Sequence, residues 1–363
     1  MRKKTNPGPE TGANIRTIAE KLGVSIGTVD RALHNRGRIS EDTRARILHA
    51  AQEMGYKPNL AARHLRLNRR FRISVNLPFT IASFFDRLRE GVQEGALPFG
   101  HSLTVEIRSY ERTEEEPEAS VISAIQNQVD GIILAPSNTQ ETIRLMEDAK
   151  AKGISIICVA TDVPESARLA AVTAHPFSCG AMSAQVLGNT AQRTGPIAVL
   201  AGNMENYNQS EKLRGFRQTL ASLSPGHSVG PILESRDVPE LAYKQIRTAF
   251  QRNKNLCGIY VSTANSIPAI RALQDIGRLS QVAIVTTDLF PELAPLIRDG
   301  VVQATIYQCP EIQGNIAART LFQYLADGTI PESSIEVIPQ LILRSNLPLY
   351  IKTNPAMTDT HIP

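Results

Sequence analysis

The chain has 363 residues, enough for two or three domains, and its 42% hydrophobic and 20% charged residues exclude a disordered or fibrous protein. Its net charge of +4 is unevenly distributed: residues 1–70 hold 15 Lys and Arg against 6 Asp and Glu, and the other residues hold 24 against 29. A basic segment on a mildly acidic body favours a polyanionic partner for the N-terminal part, although many basic segments are simply solvated.

The sequence contains no recognisable targeting, metal-binding or membrane segment. No apolar run follows the basic start and no window approaches about 18 apolar residues, so we expect neither a signal peptide nor a membrane span. The cysteines show no metal-ligand spacing, so we expect reduced thiols and no cofactor in a cytoplasmic, nucleoid-associated protein. They are Cys158, Cys179, Cys257 and Cys309.

Three short helices are predicted in the N-terminal segment, over residues 15–22, 26–33 and 41–54. Asn14 and Gly23 are suited to begin and end the first helix, while Ser25 and Ser40 are suited to begin the other two. The three-residue turn between the first two helices is typical of a helix-turn-helix. The apolar positions that can share one small core are Ile18, Ala19, Leu22, Val24, Val29, Leu33, Ile47, Leu48, Ala51 and Met54.

The outer face of the second helix carries Ile26, Gly27, Thr28 and Arg31, where a recognition helix contacts base edges. Arg31 is suited to guanine or phosphate, and Thr28 to a thymine methyl group or phosphate. The residues suited to phosphate contacts are Ser25, Asn35 and Arg36. The alternative is a small helical bundle with a solvated basic face.

The run from Ile15 to Asn59, IRTIAEKLGVSIGTVDRALHNRGRISEDTRARILHAAQEMGYKPN, closely resembles the DNA-binding headpiece of the lactose-repressor (LacI) family of bacterial regulators. Residues 59–65, NLAARHL, resemble the hinge helix of that family, which folds on the operator. The resemblance implies DNA contacts by Asn59 and Arg63 and a wedge role for Leu65 in the minor groove. Alternatively, Leu65 packs on the sensor core.

Beyond the basic run 66–72, the chain alternates short apolar strands with helical stretches, which predicts parallel sheets covered on both faces. We expect strands at 73–77, 103–108, 130–135, 155–160, 196–201, 257–261, 282–287 and 302–306. We expect helices at about 82–96, 118–128, 140–151, 178–193, 210–222, 240–252, 266–276 and 311–326.

Residues 71–350 resemble the two-lobed, type I periplasmic-binding-protein-like sensor of the LacI family, which has a ligand cleft between its lobes. Segments that carry the resemblance include Val129-Asp130-Gly131-Ile132-Ile133, Arg214-Gly215-Phe216 and Ala304-Thr305-Ile306-Tyr307-Gln308-Cys309-Pro310. The implied organisation is a basic tail at 1–13, a headpiece at 14–58, a hinge helix and linker at 59–70, the sensor at 71–350 and a tail at 351–363. Lobe 1 would hold about 71–176 and 310–338, and lobe 2 about 178–306 and 341–350.

By the same resemblance, Phe84 and Phe85 form an aromatic wall for the effector, unless they belong only to the core. Asp162 is a cleft contact or, alternatively, an exposed loop carboxylate. Asp288 and Gln308 are further polar contacts.

Four more candidate effector contacts are Arg168, His175, Asn206 and Tyr207. Alternatively, Arg168 is a solvated side chain and His175 is a structural residue. Two positions depart from the family pattern. Many relatives have arginine around Asn206, and an Asp-Asn pair is common where His175 stands.

These features predict a sequence-specific transcription regulator, expected to be a repressor, that binds an imperfect DNA palindrome as a homodimer. A small effector, a sugar or sugar derivative, would control its operator affinity. The alternatives are the solute-binding protein of a sugar transporter and an α/β enzyme. No phosphate-binding loop, nucleophile elbow or metalloprotease motif occurs in the sequence, so we do not expect an enzyme.

Overall fold

The computed structural model describes residues 15–33, 39–54, 70–110 and 117–352. The chain divides into two compact units, Met1–Arg69 and Arg70–Pro363, here called the headpiece and the sensor.

The described part of the headpiece contains three helices, α1 (Ile15–Leu22), α2 (Ile26–Leu33) and α3 (Glu41–Glu53). Gly23 adopts a φ of 64° after α1, and the amide of Val24 donates to the carbonyl of Ala19 at 3.1 Å. Ser40 begins α3 as expected, because its hydroxyl accepts the amide hydrogen of Thr43. The predicted three-residue turn is therefore present.

Ile18, Val29 and Ile47 have no exposed surface and form the centre of the headpiece core. The prediction that Leu48 joins this core is wrong, because Leu48 is 45% exposed. The buried stripe of α3 is Ile47, Ala50 and Ala51, at the spacing of one helix face, and Leu48 lies beside that stripe.

Within its described residues, the sensor forms two six-stranded sheets, with orders β11-β5-β4-β3-β1-β2 and β12-β10-β9-β8-β6-β7. Strand pairs are parallel except β10 with β12, which is antiparallel. The strands are β1 (Phe71–Pro78), β2 (Leu103–Tyr110), β3 (Gly131–Leu134), β4 (Ser155–Val159), β5 (Ala170–Ala174), β6 (Gly195–Ala201), β7 (His227–Glu234), β8 (Gly258–Val261), β9 (Ala283–Thr287), β10 (Ala304–Tyr307), β11 (Ser334–Val337) and β12 (Gln340–Ile342).

The helices between the strands cover the sheets, which confirms the expected two-sheet α/β architecture. In the first sheet, the helices at Pro117–Gln126 and Gln140–Ala151 pack over Ile132, Leu134 and Ile156. The sensor helices in the described ranges are α4 (Ala82–Ala96), α5 (Pro117–Gln126), α6 (Gln140–Ala151), α7 (Pro176–Thr190), α8 (Tyr207–Leu223), α9 (Pro239–Arg252), α10 (Ser266–Asp275), α11 (Leu293–Arg298), α12 (Pro310–Asp327) and α13 (Leu347–Lys352). No helix in these ranges is long and apolar enough to cross a bilayer.

One pair of helices in each lobe packs through glycine. In lobe 1, a Cβ atom on Gly91 of α4 would lie 2.0 Å from the carbonyl oxygen of Glu311 in α12. In lobe 2, a Cβ atom on Gly180 of α7 would lie 1.8 Å from the carbonyl oxygen of Lys212 in α8. Glycine is therefore required at these contacts, because any side chain would separate the two backbones.

The chain passes between the two sheets three times within the described residues. It leaves β5 of the first sheet and enters α7, which packs on the second sheet. It leaves β10 and enters α12, which packs on the first sheet. Finally, β11 and β12 lie in different sheets although only residues 338–339 separate them.

Candidate functional site

The outer face of α2 presents the residues expected to contact DNA. Ile26 is 52% exposed, Gly27 and Arg31 are also exposed, and Thr28 is partly exposed. The Ser25 hydroxyl accepts the amide hydrogen of Thr28 at 3.1 Å and lies 2.8 Å from the Thr28 hydroxyl. These contacts hold the first turn of the helix and leave Arg31 on the surface.

The other predicted DNA contacts, which include the hinge segment, lie outside the described residues. They are Asn35, Arg36, Asn59, Arg63 and Leu65.

In the sensor, a cavity of about 300 Å³ lies at the carboxyl ends of the parallel strands of both sheets. Residues 135–139 after β3 and 160–161 after β4 line it from lobe 1. Residues 262–264 after β8 and 287–288 at the end of β9 line it from lobe 2. Ligands of parallel α/β proteins bind in such crevices.

The part of the lobe 1 wall that the start of α4 forms is apolar. Ile81, Phe84 and Phe85 line it from the start of α4. The two rings meet edge to face, with centroids 5.1 Å apart, and both side chains are mostly buried. Both phenylalanines thus belong to the core and to the cavity wall, so the two expectations for them are compatible.

Asp288 and Gln308 lie together on the lobe 2 side of the cavity. The Gln308 Nε2 group donates to Asp288 Oδ2 at 2.7 Å, and the Gln308 amide donates to Oδ1 at 3.2 Å. Burial raises the pKa of Asp288 to about 6, although the charge of Lys212 and the bonds from Gln308 act in the opposite direction. The cavity therefore contains a carboxyl group that titrates near neutral pH.

Lys212 of α8 is a cavity residue that the sequence did not single out. It is only 5% exposed and lines the cavity. Among the described residues, none accepts a hydrogen bond from its ammonium group or forms an ion pair with it. A desolvated ammonium without an acceptor is unfavourable, so this group is suited to a ligand oxygen.

Asp237, after β7, is the second residue that the sequence did not single out. Its Oδ1 atom accepts a hydrogen bond from the Thr263 hydroxyl at 2.6 Å. The residue keeps an exposed surface and lines the cavity, yet the protein around it desolvates the carboxyl and raises its pKa. Strand β7 was not predicted from the sequence. With that strand in place, Asp237 would have been a candidate, because it lies just after the carboxyl end of the strand.

Backbone strain is concentrated in the cavity wall. Four wall residues in the described ranges hold positive φ without being glycine: Ile81 (56°), Ala160 (65°), Asp237 (55°) and Asp288 (63°). Each such conformation costs about 1–3 kcal/mol of folding free energy and persists only where the surrounding structure holds it. Such residues cluster at functional sites.

Asparagine side chains connect the two lobes beside the cavity. Asn138 of lobe 1 donates through Nδ2 to the carbonyl of Glu205 in lobe 2, at 2.9 Å. The Thr161 hydroxyl of lobe 1 donates to Oδ1 of Asn206 at 2.9 Å. Asn208 Oδ1 accepts the amide hydrogen of Asp162 at 3.1 Å. The lobes are therefore held together by direct bonds across the cleft.

Asp162 and Arg168 do not line the cavity, in contrast to the expected effector contacts. They form a bidentate ion pair with each other, in which Arg168 Nη2 lies 2.7 Å from Asp162 Oδ2, and Asp162 is 5% exposed. Arg168 also donates to the carbonyl of Ser333 at 2.7 Å. The Asp162 side chain is thus neither part of the cavity wall nor an exposed carboxylate, because Arg168 satisfies both of its oxygens, while its backbone amide bonds across the cleft.

His175 and Tyr207 also lie outside the wall of this cavity. His175 begins α7, where its Nδ1 atom accepts the amide hydrogen of Ser178 at 3.1 Å, and its Nε2 atom lies 3.5 Å from Glu336. Tyr207 is 44% exposed and lines a surface groove together with His175 and Glu336. Asn206, by contrast, lines the cavity.

The described part of the chain contains no candidate metal-binding site. No group of three or more His, Cys, Asp or Glu side chains there is suited to hold a metal ion. The four cysteines are buried and form no disulfide.

Two family models match the chain. Residues 73–329, more than half of it, match the periplasmic binding protein domain. Residues 14–59 match the bacterial regulatory proteins of the lacI family. The chain belongs to the lacI family of transcription regulators. Its sensor is a periplasmic binding protein domain.

Curated relatives of this lacI-family regulator resemble it over much of their length. The HTH-type transcriptional regulator DegA of Bacillus subtilis (strain 168) is 26% identical over 240 residues, which cover 66% of this chain and 70% of DegA. The HTH-type transcriptional repressor PurR of Edwardsiella ictaluri (strain 93-146) is 23% identical over 344 residues, which cover 92% of this chain and 97% of PurR.

Solved structures resemble the sensor of the lacI-family regulator. GanP, a glucose-galactose binding protein from Geobacillus stearothermophilus, superposes with a TM-score of 0.72 at 20% identity. The match covers 77% of this chain and all of GanP, and it establishes the shared fold.

Proposed function

We propose that this lacI-family regulator binds a double-stranded, imperfectly palindromic operator as a homodimer, acts as a repressor, and does so in the cytoplasm at the nucleoid. We further propose that a sugar or sugar derivative in the sensor cavity sets its operator affinity. The observation that carries this proposal is a cavity with an apolar wall and a polar wall in a chain that also has an exposed recognition helix.

The proposed DNA contacts are those of the sequence prediction, and the basic headpiece favours phosphate binding in general. Ile26, Gly27, Thr28 and Arg31 would meet base edges, since they form the outer face of α2. We retain the remaining proposed contacts, which are Ser25, Asn35, Arg36, Asn59, Arg63 and Leu65.

The proposed effector contacts are the predicted residues that line the cavity, together with Lys212 and Asp237. A sugar has C–H faces that pack on aromatic rings and hydroxyl groups that need fixed donors and acceptors. Phe84 and Phe85 offer the rings. Asn206, Asp288 and Gln308 offer polar atoms, and Lys212 and Asp237 add a donor and an acceptor. GanP, which shares the fold, is a glucose-galactose binding protein.

The proposed mechanism couples cleft closure to the segment that precedes β1. An effector bound between the lobes favours the closed arrangement, because it contacts both walls. Closure changes the spacing of the two linkers in a dimer, and thereby the folding of the hinge segments on DNA. The coupling requires only about 1–3 kcal/mol of differential affinity.

The DNA half of the proposal is tested by selecting operator fragments from random DNA and measuring the affinity of two variants for them. Arg31→Ala should weaken specific binding by about 1–3 kcal/mol, because it removes a base contact. Arg16→Ala is the matched control, since Arg16 is an exposed arginine on α1. Equal affinities for the two variants would show that α2 does not read the operator.

The effector half is tested by titrating the purified full chain, with and without the selected operator, with D-glucose, D-galactose, D-arabinose and D-allose. At least one sugar should bind and change operator affinity, and Lys212→Met should lower the affinity of the chain for that sugar. A sugar that is chemically converted would contradict a regulator without enzymatic activity, and the absence of binding by any sugar in an extended panel would contradict the effector class.

A further inference from the structure

Residues 135–139, here called the cavity loop, form an unbroken part of the cavity wall. The loop connects β3 to α6 and includes Asn138, whose side chain reaches the carbonyl of Glu205 in the other lobe. The position of this short segment therefore determines both the shape of the cavity and one of the contacts between the lobes.

Glu118 lies behind the cavity loop, in the first turn of α5, and does not line the cavity. One oxygen of its carboxylate, Oε1, accepts hydrogen bonds from three hydroxyl groups. The Thr142 hydroxyl lies at 2.7 Å, that of Thr139 at 2.8 Å and that of Ser137 at 3.3 Å. Two of these three residues belong to the cavity loop, and the third, Thr142, lies in the first turn of the helix that follows it.

The charge of Glu118 makes this arrangement stronger than a set of neutral bonds. Burial raises the pKa of the carboxyl, but the bonds from Thr142, its own backbone amide, Thr139 and Ser137 outweigh burial, so the net pKa is lowered. Hydrogen bonds to an ionised group are about twice as strong as neutral ones. In the described part of the chain, no Lys, Arg or His side chain lies within ion-pair distance of Glu118, so hydroxyl groups satisfy the charge.

Other bonds hold both ends of the loop. At its end, the amides of Thr142 and Ile143 donate to the hydroxyl and the carbonyl of Thr139 at 3.0 and 3.1 Å, and the Ser137 hydroxyl lies 2.6 Å from that of Thr142. The Tyr110 hydroxyl donates to the carbonyl of Ala135 at 2.6 Å, and the Ala135 amide donates to the carbonyl of Asn76 at 3.2 Å. Glu118 is the charged group among these partners, and its carboxylate joins Ser137 and Thr139 to α5.

We propose that Glu118 is a positioning residue of the effector site, which holds the cavity loop where it closes against lobe 2. This inference rests on the proposed function for its effect on sugar binding. Its effect on the loop itself does not depend on which effector binds.

Hydrogen–deuterium exchange of the full chain tests the proposal without any ligand. Glu118→Ala should speed exchange of the amides in residues 135–143 by about tenfold or more, because three charge-assisted bonds are lost. Glu141→Ala is the matched control: Glu141 is an exposed carboxylate in the first turn of α6 that accepts a hydrogen bond from Arg144, and exchange should stay unchanged in this variant. Thr142→Val removes one hydroxyl at nearly constant volume, and should produce a smaller increase in the same segment.

Unchanged exchange of residues 135–143 in folded Glu118→Ala would overturn the proposal. So would an equal increase throughout lobe 1, because that would indicate general destabilisation. If Glu118→Ala does not fold, the same criteria apply to Thr142→Val.

A second measurement links the loop to the effector. With a sugar that binds the parent protein, for instance D-galactose, Glu118→Ala should raise the dissociation constant about tenfold, and Glu141→Ala should leave it unchanged. Unaltered affinity in Glu118→Ala would contradict the positioning role. If no sugar binds the parent, the proposed effector class fails, and the exchange experiment alone decides the role of Glu118.

Discussion

Asp288 combines two unfavourable conditions at one residue, a φ of 63° and a carboxyl group that burial desolvates. Neither condition is required by the packing of β9, which ends at the preceding residue. Both are explained if the residue is held in place to present an acceptor to a ligand, because binding sites commonly retain strain and perturbed titration behaviour.

The Asp288→Asn variant should be more stable than the parent at pH 8 and should lose most of that advantage near pH 4. In the unfolded chain the carboxyl ionises near its ordinary pKa of 3.8, whereas the folded-state pKa is about 6. Ionisation therefore destabilises the folded protein increasingly between these values and fully above them. Thermal melting at both pH values measures the effect, with Asp299→Asn as an exposed control. A stability difference that does not change with pH would refute this explanation.

At the residue scale, the sequence predicted the wall of the sensor cavity only in part. Phe84, Phe85, Asn206, Asp288 and Gln308 line the cavity as the resemblance implied. Asp162 does not, because its ion pair with Arg168 depends on a neighbour that no motif identifies. Lys212 was missed because nothing in the run Glu211-Lys212-Leu213-Arg214 distinguishes a buried lysine from a solvated one.

At the scale of elements, each lobe relies on a helix pair in close contact. Gly91 and Gly314 lie at the contact of α4 with α12, and Gly180 and Gly215 lie at the contact of α7 with α8. In both pairs, a Cβ atom would approach a backbone carbonyl oxygen to about 2 Å. Because backbone cannot move aside as a side chain can, these contacts have no spare volume.

Gly180→Ala should destabilise the protein by about 1–3 kcal/mol or more, because α7 and α8 must separate to admit the methyl group. The same shift should weaken sugar binding, since the obstructed carbonyl belongs to the cavity residue Lys212. Urea unfolding and sugar titration measure the two effects. Gly258→Ala is the control, because its Cβ atom would make ordinary contacts of 3.4 Å, and comparable losses in both variants would argue against the tight contact.

Most helices of the described ranges were predicted within a few residues, since apolar periodicity and end signals define them well. Strands β5, β7, β11 and β12 were missed for physical reasons. β5 is rich in alanine, and β7 contains glycine and proline. β11 and β12 have four and three residues. Pairing with neighbouring strands and packing in the sheet stabilise these segments, although their residues have a weak intrinsic preference for the strand conformation.

For the whole molecule, the main contrast is the charge of its two parts. Residues 1–70 carry 15 basic and 6 acidic side chains, whereas the rest carries 24 and 29. The proposed binding of DNA and the proposed binding of a neutral sugar should therefore respond differently to salt.

Raising the salt concentration from 50 to 200 mM should weaken operator binding on the order of a thousandfold, as expected for about six phosphate contacts or more. Sugar affinity in the same buffers should remain nearly constant, because a neutral ligand releases no counterions. Filter binding and calorimetry provide the two measurements. Operator affinity that is insensitive to salt would indicate that the basic headpiece makes few phosphate contacts.

The glycine contacts have a consequence for motion. Helix pairs packed without spare volume make each lobe rigid, so a change in cleft width must be absorbed by the three short passages between the sheets. Cys309, at one of them, holds a φ of 53° and follows Gln308, which bonds directly to Asp288. A molecule bound to Asp288 would therefore act, through Gln308, directly beside a backbone position about which the two lobes can rotate. Ligand contact and hinge would then be adjacent in the chain.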